Sequence, residues 1–474
     1  MYLTVLSAVP EEANANHLLA VLRLHQGRSR EALTLIGKAL ATKPQAAELH
    51  AHHGLILHSL GRDEEALTAL DKALALQPGQ AEGLNSRGMV LKALGRPQEA
   101  LASLEAALAL EPAYAEAWNN HGVILRALGR FEEALVSLDR ALVLEPRSFR
   151  VQFNRGLVCR DLGHCRNAAE AFRTVLEAMP HHPESLNNLA LALCEAGETE
   201  EAMTLFQRHA LVANAPDGAA DPDFKRRHDQ EQAIYLAGGA LVSDAGARLS
   251  APAINPDNDI AAIHARWQAA RPQIVVIDDL LTPAALEALR RFCWREPVWK
   301  KSYDNGYLGA LPEQGFAAPL LAQIADELRR TYGAIFGPHA LRYLWAFKCD
   351  GHLKGVNVHA DFAAVNVNFW ITPDGANLDP ERGGLVLWDV AAPLDWDFDT
   401  YNNDGPAIRR FLAERGARSI TVPYRANRAV IFDSDLFHET DQIAFRGGYT
   451  NRRINITMLY GRRRSHEGPA QKRN

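Results

Sequence analysis

Six glycines, Gly27, Gly61, Gly95, Gly129, Gly163 and Gly197, follow one another at intervals of 34 residues. This period restricts the first half of the chain to one structural unit copied end to end. An alanine stands five residues after each glycine, at Ala32, Ala66, Ala100, Ala134, Ala168 and Ala202. A small residue stands seven before it, at Ala20, Gly54, Gly88, Gly122, Gly156 and Ala190. Small side chains at these two points let a pair of antiparallel helices approach closely, and the glycine between them supplies the left-handed residue of the turn. Pro44, Pro78, Pro112, Pro146 and Pro180 then end each second helix.

This pattern resembles the tetratricopeptide repeat, a helix-turn-helix unit of 34 residues, in about six copies over 14–215. The resemblance implies an all-α superhelix whose concave face takes an extended peptide or a partner helix. A polar column, His52, Ser86, Asn120, Asn154 and Asn188, lies two positions before the small residues. The runs "WNNHG" and "LNNLA" are similar to the asparagine ladder of the O-linked N-acetylglucosamine transferase superhelix. That likeness makes Asn120, Asn154 and Asn188 the expected peptide-binding residues, since an amide both donates and accepts; merely exposed positions on the first helices are the other reading. The nearby His50, His52 and His53 lack a matching ligand group in the sequence and read as a wet helix face. The period fails over 216–272, where a polar-faced helix is expected to cap the repeats before a linker.

Composition excludes several classes. With 47% hydrophobic and 23% charged residues the 474-residue chain is that of a folded protein of more than one domain. A net charge of -6 gives no general attraction to nucleic acid, and the basic tail 464–474 reads as a solvated terminus. No apolar run approaches the roughly 18–20 residues that span a bilayer. Five scattered cysteines without CxxC spacing fit a reducing compartment, so the expected location is cytoplasmic.

The second half, 273–463, reads as α+β. A strand, "QIVVIDDLL", and two amphipathic helices precede a series of short strands, which implies a sandwich or barrel with helices on one face. One of those strands, "VNVHADF", sets His359 and Asp361 two residues apart, on one face. His438 follows later in "FDSDLFHET", Arg453 opens "RINITMLY", and "GG" precedes "LVLWD" between the two histidines. This ordered set resembles the Fe(II)- and 2-oxoglutarate-dependent oxygenases, with their double-stranded β-helix (jelly-roll) fold and HxD...H...R pattern.

Two imidazoles and a carboxylate on one face suit ferrous iron with open positions for an oxoacid and O2. The resemblance makes His359, Asp361 and His438 the metal ligands. It makes Arg453 the bidentate partner of the distal carboxylate of 2-oxoglutarate, with Arg452, on the opposite strand face, the poorer choice. Asn455 follows from "RINIT", similar to the "RxNLT" strand of nucleic-acid demethylating oxygenases. Asn368 and Trp370 are expected as further cosubstrate contacts, whereas Tyr343, Trp345 and Phe347 read as packing. Retention of Asp361 distinguishes the chain from related halogenases and implies hydroxylation or oxidative demethylation. The insertion 389–419 reads either as a lid or as a surface excursion.

The combination implies a dioxygenase acting on a protein or peptide recruited by the repeats. Its rivals are a small-molecule tailoring oxygenase that docks through the repeats on a partner protein, and a noncatalytic adaptor.

Overall fold

The computed structural model describes Thr4, Leu6 and residues 8–213, 221–238, 245–303, 306–351 and 355–463. The tail 464–474 and part of the expected linker lie outside these residues. Six helix pairs run from Ala13 to Val212. Their first members begin at Ala13, Ala47, Ala81, Ala115, Phe149 and Pro183, and their second at Ser29, Asp63, Pro97, Phe131, Cys165 and Thr199. All six turn glycines have positive φ, between +71° and +84°, the region that only glycine enters without strain. A Cβ on Gly54, Gly88 or Gly122 would press on Leu70, Leu104 or Leu138 and on the backbone of the facing helix. The small residues are therefore required by the helix-helix distance.

The chain divides into two compact units, Met1–Ala178 and Met179–Asn474. In the first, leucines and alanines of successive pairs, among them Leu57, Leu70, Leu91, Leu104, Leu125 and Leu138, form one continuous core. The sixth helix pair, a repeat by sequence, belongs to the second unit. Its helix Thr199–Val212 lies against the helix Pro319–Thr331 and the segment before it, and three polar contacts fix it there. Thr199 Oγ1 donates to Asp326 at 2.8 Å, Gln207 Nε2 to the Ala317 carbonyl at 2.8 Å, and His209 Nδ1 lies 2.7 Å from the Glu313 carbonyl.

The second unit is built on two antiparallel sheets. Its strands are β1 (Ile274–Ile277), β2 (Lys301–Ser302), β3 (Tyr307–Ala310), β4 (Leu341–Cys349), β5 (Val365–Trp370), β6 (Leu385–Ala391), β7 (Ser419–Val422), β8 (Ala429–Asp433), β9 (Leu436–Thr440) and β10 (Arg453–Tyr460). The larger sheet has the order β1-β8-β5-β10-β4-β3-β2 and the smaller β7-β6-β9. Leu385, Leu387, Val422 and Leu436 of the smaller sheet share one core with Cys349, Trp370, Val430 and Phe432 of the larger. The helix Pro283–Arg295 starts as its Thr-Pro signal requires, with Thr282 Oγ1 accepting from the Ala285 amide at 3.3 Å.

Two elements differ from the sequence reading. The run "VNVHADF" is not a regular strand; it touches β9 through a bridge at His359, with Asp361 N–H donating to the Ser434 carbonyl at 3.1 Å. The helix expected to cap the repeats, Asp223–Ala237, instead packs on the second unit's own core. There Gln232 Nε2 donates to the Trp294 and Glu296 carbonyls at 3.3 and 3.1 Å, and His228 Nε2 lies 3.1 Å from Lys348 Nζ. Its polar face holds a buried base.

Burial, reinforced by Arg452, pushes the Lys348 ammonium well below its usual range, and burial with the neighbouring Lys348 does the same to His228. Both are bases whose folded pKa is depressed, so the unfolded chain binds more protons than the folded one, through Lys348 below its ordinary value of 10.5 and through His228 as well below its ordinary value of 6.5. Thermal stability should therefore decline from pH 7 to pH 5. The decline should be shallower in His228→Gln, which keeps an acceptor for Lys348; coincident midpoint-against-pH curves would remove this contribution. Among the described residues no helix is long and apolar enough to cross a membrane.

Candidate functional site

The pairing of β9 with the bridge residue fixes the first two site residues. His359 and His438 exchange both backbone hydrogen bonds, at 3.0 and 2.8 Å, and so stand directly opposite each other. Their rings lie 4.3 Å apart on one side of that pair. Asp361, two residues on, returns to the same side, with its carboxylate oxygens 3.7 Å from His359 Nε2 and 3.4 Å from His438 Nε2. One donor atom from each residue falls within 4.8 Å of the others.

Both rings are oriented by their backbone. His359 Nδ1 is 2.8 Å from the Asn357 carbonyl and His438 Nδ1 is 3.1 Å from the Leu436 carbonyl. A carbonyl only accepts, so each Nδ1 carries the proton and each Nε2 offers its lone pair to the shared centre. Burial, then the neighbouring His438, pushes His359 down to about 4, opposed by Asp361; the ring is neutral at physiological pH. Burial acts to raise Asp361, but the contacts with His438, His359 and Asn366 outweigh it and hold the carboxyl below its ordinary value. This is a carboxylate between two imidazoles, the donor set that suits a borderline divalent metal such as Fe(II).

Behind the carboxylate runs a chain of amides. Asn366 Nδ2 donates to Asp361 Oδ2 at 2.5 Å, Asn368 Nδ2 to Asn366 Oδ1 at 2.6 Å, and Asn368 Oδ1 accepts from Asn455 Nδ2 at 2.8 Å and Thr457 Oγ1 at 3.0 Å. The register makes this possible. Thr457 faces Asn368 and Trp345, Asn455 faces Trp370 and Phe347, and Arg453 faces Cys349, all on one side of β10 and its neighbours.

Arg453 is 1% exposed, and burial lowers its pKa. Its Nε donates to the Gly383 carbonyl at 2.7 Å and its Nη2 to the Gly384 carbonyl at 3.1 Å. Among the described residues no carboxylate forms an ion pair with it, although Asp441 adds favourable charge at longer range. The "GG" pair therefore orients the guanidinium. A Cβ at Gly384 would collide with the Val422 carbonyl. Gly384→Ala should destabilise the second unit by about 1–3 kcal/mol, read as a lower denaturation midpoint; an unchanged midpoint would contradict this packing.

Arg453, Asn455, Thr457, Asn368 and the three residues His359, Asp361 and His438 line one cavity, together with Trp345, Phe347, Cys349, Val356, Leu385 and Thr440. Asn455 Oδ1 is a buried acceptor with no hydrogen-bond partner. A buried guanidinium with no ion-pair partner among the described residues and an orphan acceptor in one cavity mark a place for a polar guest. Trp370 is not among the lining residues. Its ring lies 5.7 Å from the Arg453 guanidinium carbon and packs against Tyr424. Arg452 turns the other way and pairs with Glu231 at 3.0 Å.

A wider space opens beside His359 and Asp361. Trp345 and Phe347 line both spaces, which corrects their reading as packing; Tyr343, whose hydroxyl donates to Glu313 at 2.7 Å, lines neither. The insertion 389–419 contributes Phe398, Asn402, Asn403, Gly405, Pro406 and Arg409 to this outer wall. It is tied there by the Ala360 amide, which donates to the Tyr401 carbonyl at 2.9 Å, and by Asn402 Nδ2, which donates to the Ala360 carbonyl at 2.8 Å.

The expected peptide ladder has a different form. Asn120 is 4% exposed, donates to Asn85 at 2.9 Å and accepts from Asn119 at 3.2 Å, so its amide is spent within the repeats. Asn154 donates to Asn119 at 2.8 Å. Asn188 donates to the Glu184 carbonyl at 2.6 Å and belongs to the second unit. The amides of the first unit thus join one repeat to the next, which removes Asn120 as a free peptide contact.

The family model of the tetratricopeptide repeat matches residues 2–81, 86–150 and 153–219. Solved structures with similarity include MamA, at 23% identity over 33% of this chain and 92% of that one, with a TM-score of 0.30. A thermophilic TPR protein of Thermus thermophilus is 25% identical over 38% of this chain and 98% of its own, with a TM-score of 0.35. YrrB, described as a TPR protein with an unusual peptide-binding site, is 24% identical over 39% of this chain and 93% of its own, with a TM-score of 0.33. No curated protein matches the chain. By sequence model, period and turn geometry, the helix pairs between Ala13 and Val212 are tetratricopeptide repeats, and a sheet-containing domain follows them.

Proposed function

We propose that the second unit is an Fe(II)- and 2-oxoglutarate-dependent dioxygenase that hydroxylates a protein or peptide substrate engaged through the repeats. One observation carries the reading: His359, Asp361 and His438 converge at one cavity whose lining also includes Arg453, a buried cation without an ion-pair partner among the described residues. The strand order, with β8-β5-β10-β4 opposite β7-β6-β9 and the His359 bridge beside β9, supports a double-stranded β-helix.

The residues fit both guests. His359 Nε2, His438 Nε2 and Asp361 would hold Fe(II), and Arg453 would hold the distal carboxylate of 2-oxoglutarate. When bound, the pair supplies decarboxylation of the oxoacid to succinate coupled to oxidation of an unactivated C–H bond by O2. The protein's part is placement. The Asn357 and Leu436 carbonyls fix the imidazole protons on Nδ1, Asn366 fixes the carboxylate, and Gly383 and Gly384 aim the guanidinium. Val356, Leu385 and Phe347 line the cavity with apolar surface that excludes water. The outer space, walled by Tyr303, Phe362 and Phe398, receives the substrate beside His359 and Asp361. Retained Asp361 favours hydroxylation or oxidative demethylation over halogenation.

Tetratricopeptide repeats bind polypeptides, which favours a protein substrate over a metabolite. A noncatalytic adaptor would account for the repeats but not for the converging donors. The test is substrate capture by the full chain with Fe(II) replaced by a redox-inert divalent metal, then mass spectrometry after iron and O2 are restored. A captured polypeptide should gain about 16 Da, one oxygen atom, or lose a methyl group. If every captured polypeptide stays unmodified while small metabolites gain oxygen, the tailoring reading replaces this one.

A further inference from the structure

The repeats contain a second convergence of metal-ligating atoms, far in sequence from the oxygenase site. His17, on the helix Ala13–His25, and Glu48 and His52, on the helix Ala47–Ser59, place one donor atom each within 4.8 Å of the others. Glu48 and His52 are one turn apart, so they share a helix face. His17 reaches across from the preceding repeat, where it is 6% exposed, and its Nε2 lies 3.1 Å from His52 Nδ1. Among the described residues, only this group and the triad bring three such side chains together.

The position within the repeat sharpens the point. Asn85 with Asn120 and Asn119 with Asn154 meet across 35 residues, and His17 with His52 meets across the same interval. Between the first two repeats, then, imidazoles occupy the rung that amides occupy later. An amide pair makes a hydrogen bond and nothing more, whereas an imidazole pair beside a carboxylate is also a ligand set. His52 Nδ1 is 3.0 Å from the Glu48 backbone carbonyl. Coordination through that nitrogen gives up this contact and moves the ring proton to Nε2, while the metal takes the place of the proton shared between the rings.

We propose that His17, Glu48 and His52 form a second metal site, for a borderline divalent cation such as Zn(II), that clamps the first repeat to the second. Two imidazoles and one carboxylate are a known zinc set with a fourth position for water. The clamp has a structural use: a ligand shared between helices of adjacent repeats couples one repeat to the next.

The test counts Zn(II) bound by the full chain in equilibrium dialysis and follows hydrogen exchange over Ala13–His25. Wild type should bind two zinc ions, His438→Ala one, and His52→Asn one. His52→Asn puts an amide on the rung, as in later repeats, so the helices are retained, which circular dichroism checks. Glu48→Gln and His52→Asn should each weaken the repeat site by at least about tenfold. In His438→Ala, zinc should still slow exchange in Ala13–His25, and in His52→Asn it should not. The proposal is overturned if His52→Asn binds as many ions as wild type, or if His438→Ala binds none. Because the His438→Ala arm reports on the repeats alone, a failure there is separable from a failure of the oxygenase reading.

Discussion

His438→Ala is expected to abolish both Fe(II) binding by the second unit and 2-oxoglutarate turnover. The ring supplies one of three donors, and its Nε2 lies 3.4 Å from the carboxylate that completes the set. Losing a hydrogen-bond partner of a ligand typically costs 10- to 100-fold in metal affinity or activity, so losing a ligand should cost more than about 100-fold. The milder change Asn366→Ala leaves all three donors and removes only the bond to Asp361 Oδ2. It should fall in the 10- to 100-fold range. Iron bound per chain and succinate formed per chain are the readouts. A His438→Ala protein that keeps full iron at the triad and full turnover would remove the assignment.

Arg453→Ala should raise the 2-oxoglutarate concentration needed for half-saturation. Removing one partner of a buried, hydrogen-bonded charge pair costs on the order of 2–5 kcal/mol, or roughly 30-fold to several thousand-fold in affinity. Iron affinity should change little, because Arg453 is bonded to Gly383 and Gly384 and to none of His359, Asp361 and His438. Arg452→Ala gives the contrast. That side chain pairs with Glu231 on the helix Asp223–Ala237, so its loss should lower stability and leave cosubstrate affinity alone. Calorimetric titration of 2-oxoglutarate into the anaerobic iron-loaded proteins measures both. Exchanged behaviour of the two variants would mean that Arg452, not Arg453, meets the anion.

The repeat was legible because a 34-residue period writes the same turn six times, and the turn admits only glycine at positive φ. The inward face of β10 was legible for a related reason: strand alternation alone puts Arg453, Asn455 and Thr457 together and Arg452 opposite. What sequence could not show was contact across elements. Nothing in "LRYLWAFKC" distinguishes a packing aromatic from a lining one, and Trp345 and Phe347 line both spaces because β4 pairs with β10 in the register that sets them opposite Thr457 and Asn455. The column Asn120, Asn154 and Asn188 was visible, but the 35-residue offset that spends Asn120 on Asn85 arises from helix stacking. The polar-faced helix Asp223–Ala237 read as a cap on the repeats because the partner of its polar residues, Lys348, comes from a distant strand. The same reason hid the histidine site: His50, His52 and His53 are adjacent in sequence, yet the partners of His52 are His17 and Glu48.

The most direct test of the account is release of labelled carbon dioxide from 2-oxoglutarate carrying its label in the C1 carboxylate, measured on the full chain with Fe(II), O2 and the captured polypeptide. The account predicts release that needs both iron and O2, is lost in His438→Ala, and in Arg453→Ala returns only at much higher 2-oxoglutarate. Release from the wild-type protein no greater than that from His438→Ala, at saturating 2-oxoglutarate, would contradict it.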